Sequence, residues 1–187
     1  MKKKIPELLA PAGGMSQLVS AVENGADAVY LGGALFNARI HADNFKKDEM
    51  RRAIDYAHLR NVDVHVAMNT LLKDEELLPA LEYAVQLYEM GADAIIVQDL
   101  GLAELLRQYL PELPLHLSTQ GSVYNRSGVK KAKTLGFSRV VLARELSLEE
   151  IRQIAKDDIC ELEVFVHGAL CICLSLIHIY TSRWLKK

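Results

Sequence analysis

The sequence is poor in the residue types that mark disulfide scaffolds, flexible linkers and membrane spans. Its three cysteines, at positions 160, 171 and 173, are too few and too clustered for a disulfide framework. Only five of its 187 residues are proline, and no linker or low-complexity run divides the chain. No stretch approaches the roughly 18 apolar residues of a transmembrane helix. We therefore expect one domain with a sizeable core, no membrane contact and a cytoplasmic location.

The chain also lacks a strong excess of either charge. Its net charge is −2, and 25% of its residues are charged, as in ordinary globular proteins. Because this bulk charge does not attract phosphates, an RNA partner would have to be bound by a local basic patch.

One sequence segment is repeated along the chain. G-A-D-A-V-Y-L-G-G at 25–33 and G-A-D-A-I-I-V-Q-D at 91–99 are near copies, and L-G-F-S-R-V-V-L-A-R at 135–144 is a looser third copy. In each copy a glycine ends a helix in the left-handed conformation, and a short β-branched run then enters a buried strand. Helical patterns separate these strands, and S-L-E-E at 147–150 is a capping box. This alternation predicts βαβ units and a parallel sheet.

Seven strands are predicted, at residues 6–10, 28–31, 62–67, 94–97, 115–118, 139–143 and 162–166. Seven βα units fit an α/β, TIM-like (β/α) barrel that lacks its eighth unit better than they fit an open doubly wound sheet. The doubly wound sheet would usually carry a G-x-G-x-x-G fingerprint after its first strand, whereas residues 11–14 read P-A-G-G. We therefore predict an incomplete barrel domain over residues 1–173.

In such a barrel the site is built from the loops that follow the strands. The polar side chains just past each predicted strand are therefore the candidate substrate-binding set. This set consists of Arg39, Asn44, Asn69, Gln98, Asp99, Ser118, Gln120, Asn125, Arg144 and Glu145. Amides, hydroxyls and two arginines suit a polar, anionic ligand that is held by many hydrogen bonds.

Other polar residues have simpler interpretations. Asp27 and Asp93 precede their strands, at the opposite end of the barrel, and are interpreted as turn or cap residues. His58 and His65 are interpreted as surface or packing residues. His116 lies inside the fifth predicted strand, where the pattern leaves open whether it faces the barrel interior or the helices.

The last predicted strand leads into a histidine, a turn of small residues and a thiol, in E-V-F-V-H-G-A-L-C at 163–171. His167 and Cys171 are the catalytic candidates, since both follow a strand and a glycine turn lies between them. His167 could position substrate or transfer a proton. For a hydrolase, the sequence offers no orienting carboxylate at this point and no H-E-x-x-H zinc motif.

Several motifs resemble those of the collagenase-like peptidase family, whose catalytic type is unknown. They are E-L-L-A-P-A-G (7–13), G-A-D-A-V-Y-L-G-G (25–33), I-V-Q-D-L-G (96–101), H-L-S-T-Q (116–120), V-V-L-A-R-E-L-S-L-E-E-I (140–151) and the 163–171 segment. The family signature resembles E-x-F-x-x-G-[SA]-aliphatic-C-x-x-x-x-G-x-C, and residues 163–171 match its first half. Leu176 and His178 stand where its glycine and second cysteine are expected.

The resemblance implies an RNA-modifying hydroxylation enzyme, above all one that forms 5-hydroxyuridine in tRNA with prephenate as co-substrate. The alternative is a peptidase that acts on a peptide substrate, as the family name states. The resemblance also implies an iron–sulfur cluster in the intact protein, held by four cysteines of which Cys171 would be the first and therefore a metal ligand. The remaining ligands would then lie beyond this chain.

The departure from the family pattern is abrupt, at about Cys173. L-S-L-I-H-I at 174–179 reads like a translated sequencing adaptor, so residues 174–187 are interpreted as a non-native tail. A barrel with seven of its eight strands has two unpaired edges, which favour aggregation. On this interpretation the 187-residue chain would be a poorly soluble and inactive fragment.

Overall fold

The computed structural model describes residues 5–38 and 44–168, and in these ranges strands alternate with helices along the chain. The strands are β1 (Leu9–Ala12), β2 (Ala28–Gly32), β3 (Asp63–Met68), β4 (Ala94–Val97), β5 (Leu115–Leu117), β6 (Arg139–Val141) and β7 (Glu161–Glu163). The helices are α1 (Met15–Glu23), α2 (Lys47–His58), α3 (Asp74–Glu89), α4 (Leu100–Tyr109), α5 (Arg126–Thr134) and α6 (Leu148–Ala155). None of these helices is both long enough and apolar enough to cross a bilayer.

The seven strands form one parallel sheet whose spatial order equals the chain order, from β1 to β7. The sheet is curled, and this brings Arg139 on β6 within 2.7 Å of Glu7, which lies two residues before β1. This order and curvature confirm the prediction of an incomplete TIM-like barrel with seven strands.

The predicted strand bounds agree best for β4, which matches at both ends, and worst for β1. The prediction placed the first strand at residues 6–10, but β1 begins at Leu9. Leu8 is bonded instead to the residues at the start of β2, since its N–H donates to the Asp27 carboxylate at 2.8 Å and its carbonyl accepts the Ala28 N–H at 3.3 Å. The strand also continues through Pro11, which is tolerated because β1 is an edge of the described sheet.

Helix ends follow the local signals that the sequence carries. Gly25, Gly91 and Gly136 follow α1, α3 and α5 with φ of 88°, 96° and 93°, the left-handed region in which glycine is unstrained. The predicted capping box begins α6: the Ser147 hydroxyl accepts from the Glu150 N–H at 3.3 Å, and the Glu150 carboxylate accepts from the Ser147 N–H at 2.8 Å. These signals place each strand at a fixed distance from the helix before it.

The aspartates of the repeated segment lie at the N-terminal end of the sheet, as predicted, but they join neighbouring strands, whereas the sequence predicted turn or cap residues. The Asp27 carboxylate accepts the Leu8 N–H, and the Asp93 carboxylate accepts the Val64 N–H at 2.7 Å. Asp93 also contacts the exposed His58 ring at 2.8 Å. Their role is therefore to align strands.

The two faces of the sheet carry different side chains. The face toward the helices is apolar and fully buried, as at Val29, Val64 and Ile95, and each such side chain contributes roughly 1.5–3 kcal/mol to stability. The alternate positions face the barrel interior, where the strand register aligns Tyr30 with His65. This interior contains polar side chains among small and apolar ones, in contrast to the apolar layer under the helices.

Candidate functional site

The structure gathers most of the predicted substrate-binding residues at the C-terminal end of the barrel, beyond the ends of β2 to β6. Those described are Asn44, Asn69, Gln98, Asp99, Ser118, Gln120, Asn125, Arg144 and Glu145. Arg39 and Cys171 lie outside the described residues. His167 is described and is exposed beyond the end of β7. We call this end of the barrel, from β5 to β7 (residues 118–125, 142–145 and 165–168), the β5–β7 rim.

Two of the predicted amides hold the loop that follows β2. Asn69 accepts the Ala38 N–H through its side-chain oxygen at 3.1 Å, and Asn44 accepts from the Asn37 side-chain amide at 3.3 Å. Asn37 was not predicted, although it is only 3% exposed and also donates to the Gly33 carbonyl. Its burial depends on contacts across the loop, for which a single asparagine gives no sequence signal.

Position 33 has to be glycine because α3 lies too close for a Cβ atom. A Cβ at this position would collide with the Tyr83 hydroxyl of α3. Burial raises the pKa of the Tyr83 hydroxyl, so it stays a neutral hydrogen-bonding group at the edge of the β2 loop.

Two further candidates are helix caps. The Asp99 carboxylate accepts the Leu102 N–H at 2.9 Å and the Leu72 N–H at 3.3 Å, so both of its oxygens bind backbone. The Asn125 side-chain oxygen accepts the Gly128 N–H at 2.8 Å at the start of α5. Both residues shape the loops around the site, and a role in binding substrate stays a prediction for each.

The β5–β7 rim brings an amide, a hydroxyl, a guanidinium and a phenyl ring to neighbouring strand ends. Ser118 is 2% exposed, and its hydroxyl accepts the Gln120 N–H at 3.2 Å. The Gln120 side-chain oxygen is buried and has no hydrogen-bond partner among the described residues. Arg144 lies over the Phe165 ring, 3.9 Å from its centroid. Such a set can stack on a planar ligand and bind its polar edge.

Two buried histidines lie in the barrel interior. The rings of His65 and His116 meet edge to face, with centroids 4.8 Å apart, and the residues are 3% and 4% exposed. Neither Nδ1 atom has a hydrogen-bond partner among the described residues. Burial lowers the pKa of His116 to about 2, with help from His65 and Arg139, and burial also lowers the pKa of His65. Both imidazoles are therefore neutral, and His116 faces the barrel interior, the alternative that the sequence left open.

An arginine with three carboxylates closes the N-terminal end of the interior. Arg139 binds both oxygens of Glu7, at 2.7 and 2.9 Å, and donates to Glu161 at 2.7 Å. Glu163 is more distant, at 3.7 Å, and its Oε2 atom has no hydrogen bond among the described residues. We call these four residues the Arg139 cluster.

Glu163 has a raised pKa. Burial, together with the nearby Glu7 carboxylate, raises the pKa of Glu163 to about 7 against the lowering effect of Arg139. Because Arg139 carries one charge and already binds two carboxylates, the third is most stable when neutral. Glu163 was recognised only as part of a motif, although a glutamate inside a predicted buried strand (162–166) is itself a signal for a polar interior.

The described residues do not form an iron–sulfur site. Within these ranges no group of three or more histidine, cysteine, aspartate or glutamate side chains is arranged to hold a metal ion. Cys160, the cysteine that the structure describes, directly precedes β7 at the opposite end of the barrel from the rim. Cys171 and Cys173 lie outside the described residues, so cluster ligation stays a prediction.

Comparison with known proteins identifies the family. The family model described as peptidase family U32 matches residues 13–186. The chain belongs to this family. The family resemblance that its motifs showed is thus confirmed.

Curated relatives of this U32 chain are named for RNA hydroxylation. A 23S rRNA 5-hydroxycytidine synthase of Escherichia coli is 41% identical over 181 residues, which cover 95% of this chain and 27% of that protein. The tRNA hydroxylation protein P of Escherichia coli is 39% identical over 171 residues, which cover 91% of this chain and 38% of that protein. The chain therefore spans well under half the length of these relatives.

A solved structure supports the fold. The U32 peptidase Mk0906 has a TM-score of 0.71 at 19% sequence identity, covering 88% of this chain and 70% of that chain. At this identity the likeness shows that the two share the barrel fold, and it carries no statement about activity.

Proposed function

We propose that this chain is the barrel part of an RNA-modifying hydroxylation enzyme that acts on a pyrimidine of tRNA or rRNA. The observation that carries the proposal is the 41% identity, over 95% of the chain, to a protein named for 5-hydroxycytidine synthesis in rRNA. The tRNA hydroxylation protein P, at 39% identity, supports the same class of reaction. The polar β5–β7 rim supports it from the structural side.

The rim offers what such a reaction needs from the protein. An enzyme that modifies a base has to take it out of its stack and hold it by its polar edge and its ring faces. Phe165 and Arg144 supply planar groups for stacking, and Gln120 supplies amide hydrogen bonds. His167, exposed at the end of the same rim, could exchange a proton with the substrate.

The finer parts of the proposal concern the co-substrate and the cofactor. Prephenate carries two carboxylates, for which Arg144 and Arg39 are the candidate partners, because guanidinium groups bind carboxylates in bidentate fashion. An iron–sulfur cluster would be ligated from Cys171 onward and would supply electron-transfer chemistry. The described residues neither hold the cluster nor require it for the hydrogen bonds of the rim.

A peptidase activity is the second candidate, because the family name states it. Among the described residues, no hydrogen bond joins a serine or cysteine side chain to a histidine, as an activated nucleophile would require. The pairing of His167 with Cys171 lies partly outside the described residues. We therefore place this activity second.

The decisive experiment is a deletion of the chromosomal gene followed by mass spectrometry of nucleosides from tRNA and rRNA digests. We expect 5-hydroxyuridine or 5-hydroxycytidine to disappear and to return when the intact gene is restored. Unchanged levels of both nucleosides would contradict the proposal. Cleavage of gelatin by the purified intact protein, abolished by Cys171→Ala, would instead support the peptidase.

A further inference from the structure

Gln120 combines two properties that are rarely found together: its side-chain oxygen is buried, and it has no hydrogen-bond partner among the described residues. An unsatisfied buried amide oxygen destabilises the folded protein relative to an apolar side chain of the same shape. A residue of this kind at the C-terminal rim of a barrel calls for a ligand that donates a hydrogen bond to it.

The backbone around Gln120 is fixed from three directions. Its N–H donates to the Ser118 hydroxyl at 3.2 Å, within a 3₁₀ turn formed by Thr119–Gly121. The Thr119 hydroxyl donates to the Leu142 carbonyl at 3.4 Å, which attaches this turn to the end of β6. The turn also lies close over β5, because a Cβ at Gly121 would come within 2.8 Å of the Leu117 side chain. The amide is thus presented from a rigid element, as a recognition group should be.

The stacking groups of the rim lie next to this turn in the barrel. Arg144 follows Leu142 by two residues, and its guanidinium lies 3.9 Å from the centre of the Phe165 ring. A Cβ at Gly168 would lie 3.5 Å from the Arg144 guanidinium and 3.8 Å from the Phe165 ring, so the chain after β7 packs against the same pair. The Gln120 amide and the Arg144–Phe165 pair therefore follow three consecutive strands, β5, β6 and β7.

We propose that the Gln120 carboxamide binds the Watson–Crick edge of the base that is modified, while the base stacks on the Arg144–Phe165 pair. This inference rests on the proposed function and names the residue that recognises the substrate. In uracil, the N3–H would donate to Oε1 and an exocyclic oxygen would accept from Nε2. In cytosine, the exocyclic amine would donate to Oε1 and N3 would accept from Nε2.

The carboxamide suits both pyrimidines because it offers one acceptor and one donor side by side. A fixed cation or a carboxylate could match only part of either edge. The same site could therefore accept the uridine or the cytidine that a hydroxylation enzyme of this family modifies. The choice of base would then be made by the surrounding RNA.

The test compares two short single-stranded RNAs that differ in one atom group, a central uridine or a central N3-methyluridine. Binding to the 187-residue chain is measured by fluorescence anisotropy at a fixed salt concentration. We expect the methylated RNA to bind about tenfold more weakly, because it cannot donate to Gln120 Oε1. Gln120→Leu should weaken binding of the uridine RNA by about the same factor, and this variant should bind the two RNAs with equal affinity.

Gln108→Leu is the matched control, since Gln108 is exposed on α4, away from the rim, and this variant should keep the wild-type preference. The melting temperature of Gln120→Leu should equal or exceed that of the wild-type chain, because an unsatisfied buried oxygen is removed. If Gln120 instead stabilised the fold, the substitution would lower the melting temperature.

The outcomes separate this inference from the proposed function. Binding of both RNAs with equal affinity by the wild-type chain would refute the role of Gln120 and leave an RNA-binding enzyme in place. This comparison uses no variant, so it remains decisive if Gln120→Leu does not fold. Absence of any RNA binding by this chain would overturn the inference, and the deletion of the chromosomal gene would then decide the proposed function by itself.

Discussion

The two ends of the barrel interior use similar polar side chains in different ways. At the N-terminal end, Arg139 binds both oxygens of Glu7 and one oxygen of Glu161, and the Oε2 atom of Glu163 lacks a hydrogen bond among the described residues. At the C-terminal end, Gln120 is held by its backbone while its side-chain oxygen lacks a partner among the described residues. Polar groups that pair with each other therefore hold the first and the last strands of the curled sheet together, whereas the Gln120 oxygen, left unpaired by the described residues, is a candidate to bind a ligand.

The largest expected effect on stability comes from disrupting the Arg139 cluster at the N-terminal end of the barrel. Arg139→Met leaves three carboxylates facing each other around a side chain that is 12% exposed in the wild type. We expect a loss of about 3 kcal/mol in the free energy of unfolding, the lower end of the range for a buried charge that loses its partner, because solvent reaches Glu161. Urea denaturation of the wild-type and variant 187-residue chains measures this loss in the free energy of unfolding.

Arg126→Met is the matched control, since Arg126 pairs with Asp157 at 3.0 Å but is 47% exposed, and its loss should cost under about 1 kcal/mol. Equal losses for the two variants would contradict a special role for the Arg139 cluster. The same experiment tests the expectation of a poorly soluble fragment, because a cooperative wild-type transition would show it to be wrong.

A second prediction concerns the raised pKa of Glu163. Its pKa is raised to about 7 in the folded protein, so the folded state binds more protons than the unfolded state between the two pKa values. Its contribution to stability is therefore present below the unfolded pKa and is lost as pH rises through 7. Glu163→Gln, which is always neutral, should gain about 2.5 kcal/mol over the wild type between pH 5 and pH 8. The measurement is the difference in unfolding free energy at these two pH values.

Glu149→Gln is the corresponding control, because Glu149 lies on the surface of α6, and its difference from the wild type should not change over this range. A pH-independent difference for Glu163→Gln as well would show that Glu163 is ionised in the folded chain.

The histidine pair should give the opposite pH dependence. The pKa of His116 is lowered in the folded protein, to about 2, so its contribution is present above the unfolded pKa and is lost as pH falls below 6.5. Relative to His116→Phe, the wild-type chain should lose about 2 kcal/mol between pH 7 and pH 5. Because Glu163 acts in the other direction in this range, the variant must be compared with the wild type at each pH. A constant difference would mean that the folded chain takes up a proton on His116 over the same pH range as the unfolded chain.

The architecture could be predicted from the sequence because its signals are local. A glycine follows three of the six helices, α1, α3 and α5, and a β-branched run follows each of these glycines within a few residues. These three turns and the strands after them could therefore be recognised in the repeated segment. The Arg139 cluster could not be predicted in this way. Glu7 and Arg139 are 132 residues apart and meet only because the sheet curls.

The candidate site could be predicted by location but not by role. Every described candidate lies at the expected end of its strand, since that rule depends only on the barrel. Asp99 and Asn125 were grouped with Gln120, although each stands directly before a helix, and that position is itself a signal for an N-cap. Which amide is buried without a partner depends on packing between loops, and no pattern in the chain carries that information.

The smallest expected effect tests this division of roles within the rim. Asn125 accepts the Gly128 N–H at 2.8 Å at the start of α5, so Asn125→Ala should cost about 1 kcal/mol of stability. Asn125→Ser should keep most of it, because serine is also a good cap, and thermal denaturation of the two variants measures the difference. The contrast with Gln120→Leu is the informative part, since that substitution should cost nothing in stability. If both substitutions destabilise the chain alike, Gln120 is a structural residue as Asn125 is, and the difference between the paired and the unpaired polar groups of this barrel would not hold at the rim.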